Sequence, residues 1–163
     1  MTLVQGRQIA AESARYNLGA LGRTLNEPGL PLLFLLKTLS SRFQFTLDRQ
    51  DRSAGPRVWI VGYREAGRPT VFRHNDTVDN PSSGRLWLDA DTGVVVRTEH
   101  IVTPSGFRAT FTTTFRPHDR FNVALPVEMR ESWVSSNSGV EGTATSGRYR
   151  RFEVSTEEAA RPE

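Results

Sequence analysis

A chain of 163 residues with no cysteine has the length of one domain, and it must build its core without disulfides, thiolate metal sites or a thiol nucleophile. Its 37% hydrophobic and 24% charged residues exclude a disordered or fibrous chain. The sequence pI near 9.9 rests on a net charge of only +3, because every basic residue except Lys37 is an arginine, which does not titrate. The longest basic run is Arg150-Arg151, so no basic stripe marks a nucleic-acid surface.

In chain order, Ile9, Ser13, Tyr16, Ala20, Leu21 and Leu25 recur at three- and four-residue spacing and predict a helix over residues 3–25. Asn26-Glu-Pro-Gly29 is a turn by composition, and Pro31 suits the first turn of a second helix, Leu32–Leu39, apolar almost all round. The densest apolar run, Leu30–Leu36, is about a third of the ~20 residues that a membrane span needs and cannot cross a bilayer as a helix. It also lies too far from Met1 to be a signal-peptide core. The chain is therefore expected to be soluble: cytoplasmic, or the mature part of an exported protein.

From Arg42 the apolar period changes to two. Phe43, Phe45 and Leu47 alternate with polar residues; Arg57–Arg64 is apolar on both faces and reads as a covered strand. Glu65–Pro69 reads as a hairpin turn into Thr70–Arg73, and His74–Ser83 as a polar loop. Three strands then follow in Gly84–Arg116, divided by the turns Asp89-Ala-Asp-Thr-Gly93 and Thr103-Pro-Ser-Gly106. In the last of them Phe107, Ala109, Phe111 and Phe115 share one face, with Arg108, Thr110, Thr112, Thr114 and Arg116 on the other. Arg97 and Glu99 are expected to face water. Val127, Met129 and Trp133 mark the next strand, and Val140–Val154 a final one, bulged near Arg150. The prediction is one α+β domain over 1–163: a helical part (1–40), a curved antiparallel sheet of about seven or eight strands forming an incomplete barrel (42–154), and a frayed tail (155–163).

No catalytic motif emerges. The serines stand in turns rather than at strand-to-helix elbows, and no glycine spacing fits a phosphate loop. His74, His100 and His118 lie in separate segments with no ligand spacing and read as turn or surface residues. Asp89 and Asp91 read as turn formers, because the remaining oxygen ligands of a calcium loop are missing. Arg64-Glu65 and Arg130-Glu131 read as surface ion pairs between neighbouring strands. What remains is apolar: Phe43, Phe45, Phe107, Phe111, Phe115 and Met129 can line one face of a curved sheet beneath Leu32–Leu39. Alternation does not decide whether that face is a filled core or a ligand cavity.

Gly84-Arg-Leu-Trp-Leu-Asp89, Thr92-Gly-Val-Val-Val-Arg97, Pro126-Val-Glu-Met-Arg-Glu131 and Gly142-Thr-Ala-Thr with Tyr149-Arg-Arg-Phe152 resemble uncharacterised bacterial exported proteins. Their strand pattern is similar to that of the outer-membrane lipoprotein-sorting carriers (LolA/LolB-like). The likeness covers residues 84–154 and implies an incomplete barrel, capped by helices, around an apolar cavity for acyl chains. It implies a periplasmic or secreted location, with a cytoplasmic one still open. The expected function is non-enzymatic binding of a lipid or other hydrophobic group on the six residues above, with no cofactor, metal or nucleic acid. The alternative is an interaction module of a cell-envelope assembly, with a filled core and a protein partner.

Overall fold

The computed structural model describes residues 27–74, 78–104 and 106–150. The helix expected over residues 3–25 and the segment 151–163 lie outside them. The described fold is mostly β. Seven strands form one antiparallel sheet that does not close, in the order β1 (Phe43–Gln50), β2 (Val58–Glu65), β5 (Ser82–Asp89), β6 (Val95–Val102), β7 (Phe107–His118), β8 (Val123–Ser135) and β9 (Gly139–Thr145). Spatial neighbours are sequence neighbours except at β2–β5, where a two-stranded ribbon, β3 (Arg73–His74) and β4 (Val78–Asp79), is inserted. The sheet edges are β1 and β9.

Three expectations are corrected here. The second helix is instead a 3-10 turn, Leu30–Leu35, followed by one helical turn, α1 (Lys37–Ser40). Leu36 between them is extended, with φ −63° and ψ 139°, which ends the first turn. Side chains three apart eclipse in a 3-10 turn, so only Pro31 and Phe34 are buried, while Leu33, Leu35 and Leu36 remain exposed. An α+β division therefore does not describe these residues; the helical content is two short turns. Second, Glu65–Arg73 is not a hairpin, since β2 pairs with β5. The Glu65 side chain, 4% exposed, accepts hydrogen bonds from the Val71 N–H (2.6 Å), the Ser82 N–H (3.1 Å) and the Ser82 hydroxyl (3.0 Å). It pins both ends of the insert to the sheet and forms no surface ion pair; Arg64 donates to Gln44 instead. Third, β9 stops at Thr145. The Tyr149 hydroxyl donates to the Pro126 carbonyl and holds the following segment against β8.

The period of two divides the sheet cleanly. One cross-strand row runs from edge to edge as Phe45, Tyr63, Gly84, His100, Phe111, Glu131 and Gly142. The next row on the same face is Leu47, Val61, Leu86, Thr98, Thr113, Met129 and Ala144. The opposite face carries Arg85, Glu99, Thr110, Thr112 and Thr114, with Val58, Ile60 and Trp87 packed beneath Ala54 of the β1–β2 loop. Among the described residues, it is that loop which packs on the second face of β2.

Candidate functional site

The first face holds two apolar clusters. Phe34, Phe43, Tyr63 and Leu86 form one, with Val71, Phe72 and Leu88 packed against it. Ala109, Phe111, Met129 and Trp133 form the other, with Phe107 and Val140 beside it. Phe34 reaches the sheet from the 3-10 turn and stacks on Phe43 at 4.4 Å. Burying a phenyl ring contributes about 1.5–3 kcal/mol, so this ring is the main anchor of its turn.

Between the clusters stands His100, which is 1% exposed. Its ring lies 5.4 Å from Phe34, 5.4 Å from Phe72 and 6.1 Å from Phe111. It is a core residue, contrary to the expectation of a surface histidine. The room for it comes from Gly84, which sits between Tyr63 and His100 in the cross-strand row. With no side chain on β5 at that point, Tyr63 and His100 meet across the strand at 2.9 Å (Oη to Nδ1). A Cβ at Gly84 would stand 2.6 Å from the Tyr63 hydroxyl and would collide with the Glu99 carbonyl.

The same hydroxyl lies 3.1 Å from the Glu99 carbonyl oxygen. Tyr63 has one proton, and a carbonyl can only accept. Both contacts are satisfied together when Tyr63 donates to Glu99 and His100 Nδ1–H donates to Tyr63. His100 Nε2, on the far side of the ring, is then a bare acceptor. Burial pulls the His100 pKa down to about 4, which keeps the imidazole neutral. Burial, followed by the Glu99 charge, pushes the Tyr63 hydroxyl up. His100 Nε2 and the hydroxyl of Thr98, two residues earlier on β6, are buried without a hydrogen-bond partner.

The structure separates the six expected lining residues. Phe107, Phe111 and Met129 come together, and Phe43 belongs to the other cluster. Phe45 is 38% exposed on edge strand β1, 6.3 Å from Phe43. Phe115 is buried on the same strand as Phe111 but belongs to neither cluster. Tyr63, His100, Thr98, Phe34 and Trp133 were not among the six. The signal for His100 was nonetheless present: placing Arg97 and Glu99 in water puts Thr98 and His100 on the dry face by the period of two.

Elsewhere, a groove of about 500 Å³ lies on the opposite face beside Gln44, Arg64, Arg85 and Glu99. A second, of about 410 Å³, lies at the β7–β8 end, beside Asp89, His118 and Asn122. Neither is lined by any of the six. Arg85 grips Glu99 through both carboxylate oxygens (2.9 and 3.0 Å), so Glu99 does not stand free in water. Arg130 pairs with Glu128 rather than Glu131, and Glu131 accepts the Trp133 indole N–H. Among the described residues no group of three or more His, Asp or Glu is placed to hold a metal, and no helix is long and apolar enough to cross a membrane. No protein-family model, curated protein or solved structure matches the chain.

Proposed function

We propose that this chain is a non-enzymatic periplasmic or secreted domain that receives a lipid or other hydrophobic group on the face bearing Tyr63, His100 and Phe111. On this reading the sheet curves as an incomplete barrel around that face, in the manner of the lipoprotein-sorting carriers it resembles. The observation that carries the proposal is the band of two apolar clusters across an unclosed sheet. The described cover over the first of them is a six-residue turn together with Val71 and Phe72 of the β2–β5 insert.

The test is to delipidate the purified full chain and titrate it with a fluorescent fatty-acyl probe. Saturable binding is expected, and it should weaken in Phe111→Asp, with circular dichroism confirming the fold. Phe45→Asp, at an exposed position of the same row, serves where the buried substitution does not fold. Absence of saturable binding overturns the proposal and favours a filled core serving a protein partner.

A further inference from the structure

We propose that two copies of this chain pair along edge strand β1, antiparallel about a two-fold axis at Phe45, and join their sheets into one. This inference does not depend on the binding function proposed above.

Three observations lead to it. First, the β1 edge is open and partly apolar. Every residue from Gln44 to Arg49 is exposed, including Phe45 at 38% and Leu47 at 63%. An uncovered strand edge of this kind offers its backbone donors and acceptors to another strand. The opposite edge is unlike it: β9 reads Gly-Val-Glu-Gly-Thr-Ala-Thr, and its one large apolar residue, Val140, packs against the second cluster.

Second, the β1 backbone is turned for pairing. The Arg42 carbonyl accepts the Ala66 N–H at 2.8 Å. Strand alternation then aims the amides of Gln44 and Thr46 at β2, and those of Phe43, Phe45 and Leu47 away from the sheet.

Third, the strand is complementary to itself. With the axis at Phe45, that ring faces its partner's Phe45, and Phe43 faces Leu47 twice on the dry side. On the opposite face Gln44 meets Thr46, and Arg42 meets Asp48, also twice. Asp48 is 46% exposed, and its 3.3 Å contact with neighbouring Arg49 is a surface pair that the second copy's Arg42 can replace. Moving the axis one residue forward sets Arg49, in the β1 bulge, opposite Phe43; one residue back sets Leu47 opposite Ser41. The axis at Phe45 is thus the register that matches both apolar character and charge. A two-fold contact closes on itself, so assembly stops at the dimer.

The experiment is sedimentation velocity of the full chain at rising concentration, joined to cysteine cross-linking. A reversible dimer with a dissociation constant of about 10–100 µM is expected, as suits a contact of one strand pair. Leu47→Lys, which sets a charge opposite Phe43, should weaken it at least about tenfold. Asp48→Arg and Arg42→Glu should each weaken self-association, and mixing the two proteins should restore it as a heterodimer. Because the chain has no cysteine, single cysteine substitutions report the register. Phe45→Cys should give a disulfide-linked dimer under mild oxidation, since residues opposite each other lie about 5.5 Å apart. Leu47→Cys, at a more exposed position, should not, since its two copies stand about 13 Å apart along the strands. A chain still monomeric at about 500 µM overturns the inference, since a strand-pair dimer would by then predominate. Growth beyond the dimer, or cross-linking through Leu47→Cys as readily as through Phe45→Cys, overturns it equally.

Discussion

On the face that carries Tyr63 and His100, the polar side chains of Thr98, His100 and Thr113 are buried beside two apolar clusters. On the face that carries Arg85, Glu99 and Trp87, polar atoms meet in pairs that keep one side in solvent. The same strands build both. On β6, Thr98 and His100 point into the dry side, and Arg97 and Glu99 into the wet one. Trp87 shows how tolerant the wet side is: its indole N–H donates to Asp51 (2.9 Å), and the guanidinium groups of Arg85 and Arg97 both lie 5.5 Å from its ring. Strand alternation sorts side chains by face, and the cost of an error then depends on which face receives it.

Gly84→Ala should reveal that asymmetry most strongly. The added methyl would collide with the backbone carbonyl of Glu99 and press on the Tyr63 hydroxyl, so β5 and β6 must part or the Tyr63–His100 contact must break. A loss of about 4 kcal/mol or more is expected in urea denaturation, at the upper end for single substitutions. A loss below about 1 kcal/mol would mean that the dry face is not tightly built around this glycine.

Much of the fold was legible because its determinants are local. The alternation of Phe107–Phe115 gave β7, and the Asp89–Gly93 turn forms as read. Asp89 accepts the Asp91 and Thr92 N–H groups, and Gly93 takes φ +70°. What was not legible depends on partners distant in sequence. Glu65 looks like a surface acid until Val71 and Ser82 are brought to it. His100 looks like a turn residue until Gly84 makes room for Tyr63. The Leu30–Leu36 run has no heptad or alternation to betray a 3-10 turn, and its composition suits an α-helix equally well. The six expected lining residues were found by their apolar character alone, so the histidine and threonine between the two clusters escaped.

The next prediction concerns pH. His100 is held at about 4, below its ordinary 6.5, so the unfolded chain binds its proton first on acidification. The neutral imidazole's full contribution is present above pH 6.5 and is lost as pH falls towards 4, about 3 kcal/mol in all and about 2 kcal/mol by pH 5. Asp51 and Asp79, drawn down from 3.8 to about 2 by their hydrogen bonds to Ser53 and Thr70, also lose stability on acidification. Their window lies lower, between 3.8 and 2, so the two effects separate. Urea midpoints at pH 7 and pH 5 should fall in the native chain and change much less in His100→Phe. The other two histidines are common to both proteins and cancel in the difference. An equal fall in both would show that the imidazole titrates as though exposed.

The smallest effect belongs to the wet face. Arg85 holds Glu99 in a two-pronged contact, and its pKa is raised chiefly by that hydrogen bond. The side chains are nevertheless 43% and 17% exposed, so solvent screens the attraction and shares the carboxylate. Removing Arg85 also leaves Arg97 over the Trp87 ring. A double-mutant cycle of Arg85→Met and Glu99→Gln is therefore expected to give a coupling below about 1 kcal/mol. High salt should reduce it further, since screening lengths contract to a few ångströms near molar ionic strength. A coupling above about 2 kcal/mol that survives salt would break the contrast between the faces. It would mean that Glu99 is as much a buried group as His100, and that the strand's two sides differ in the identity of their partners rather than in their access to water.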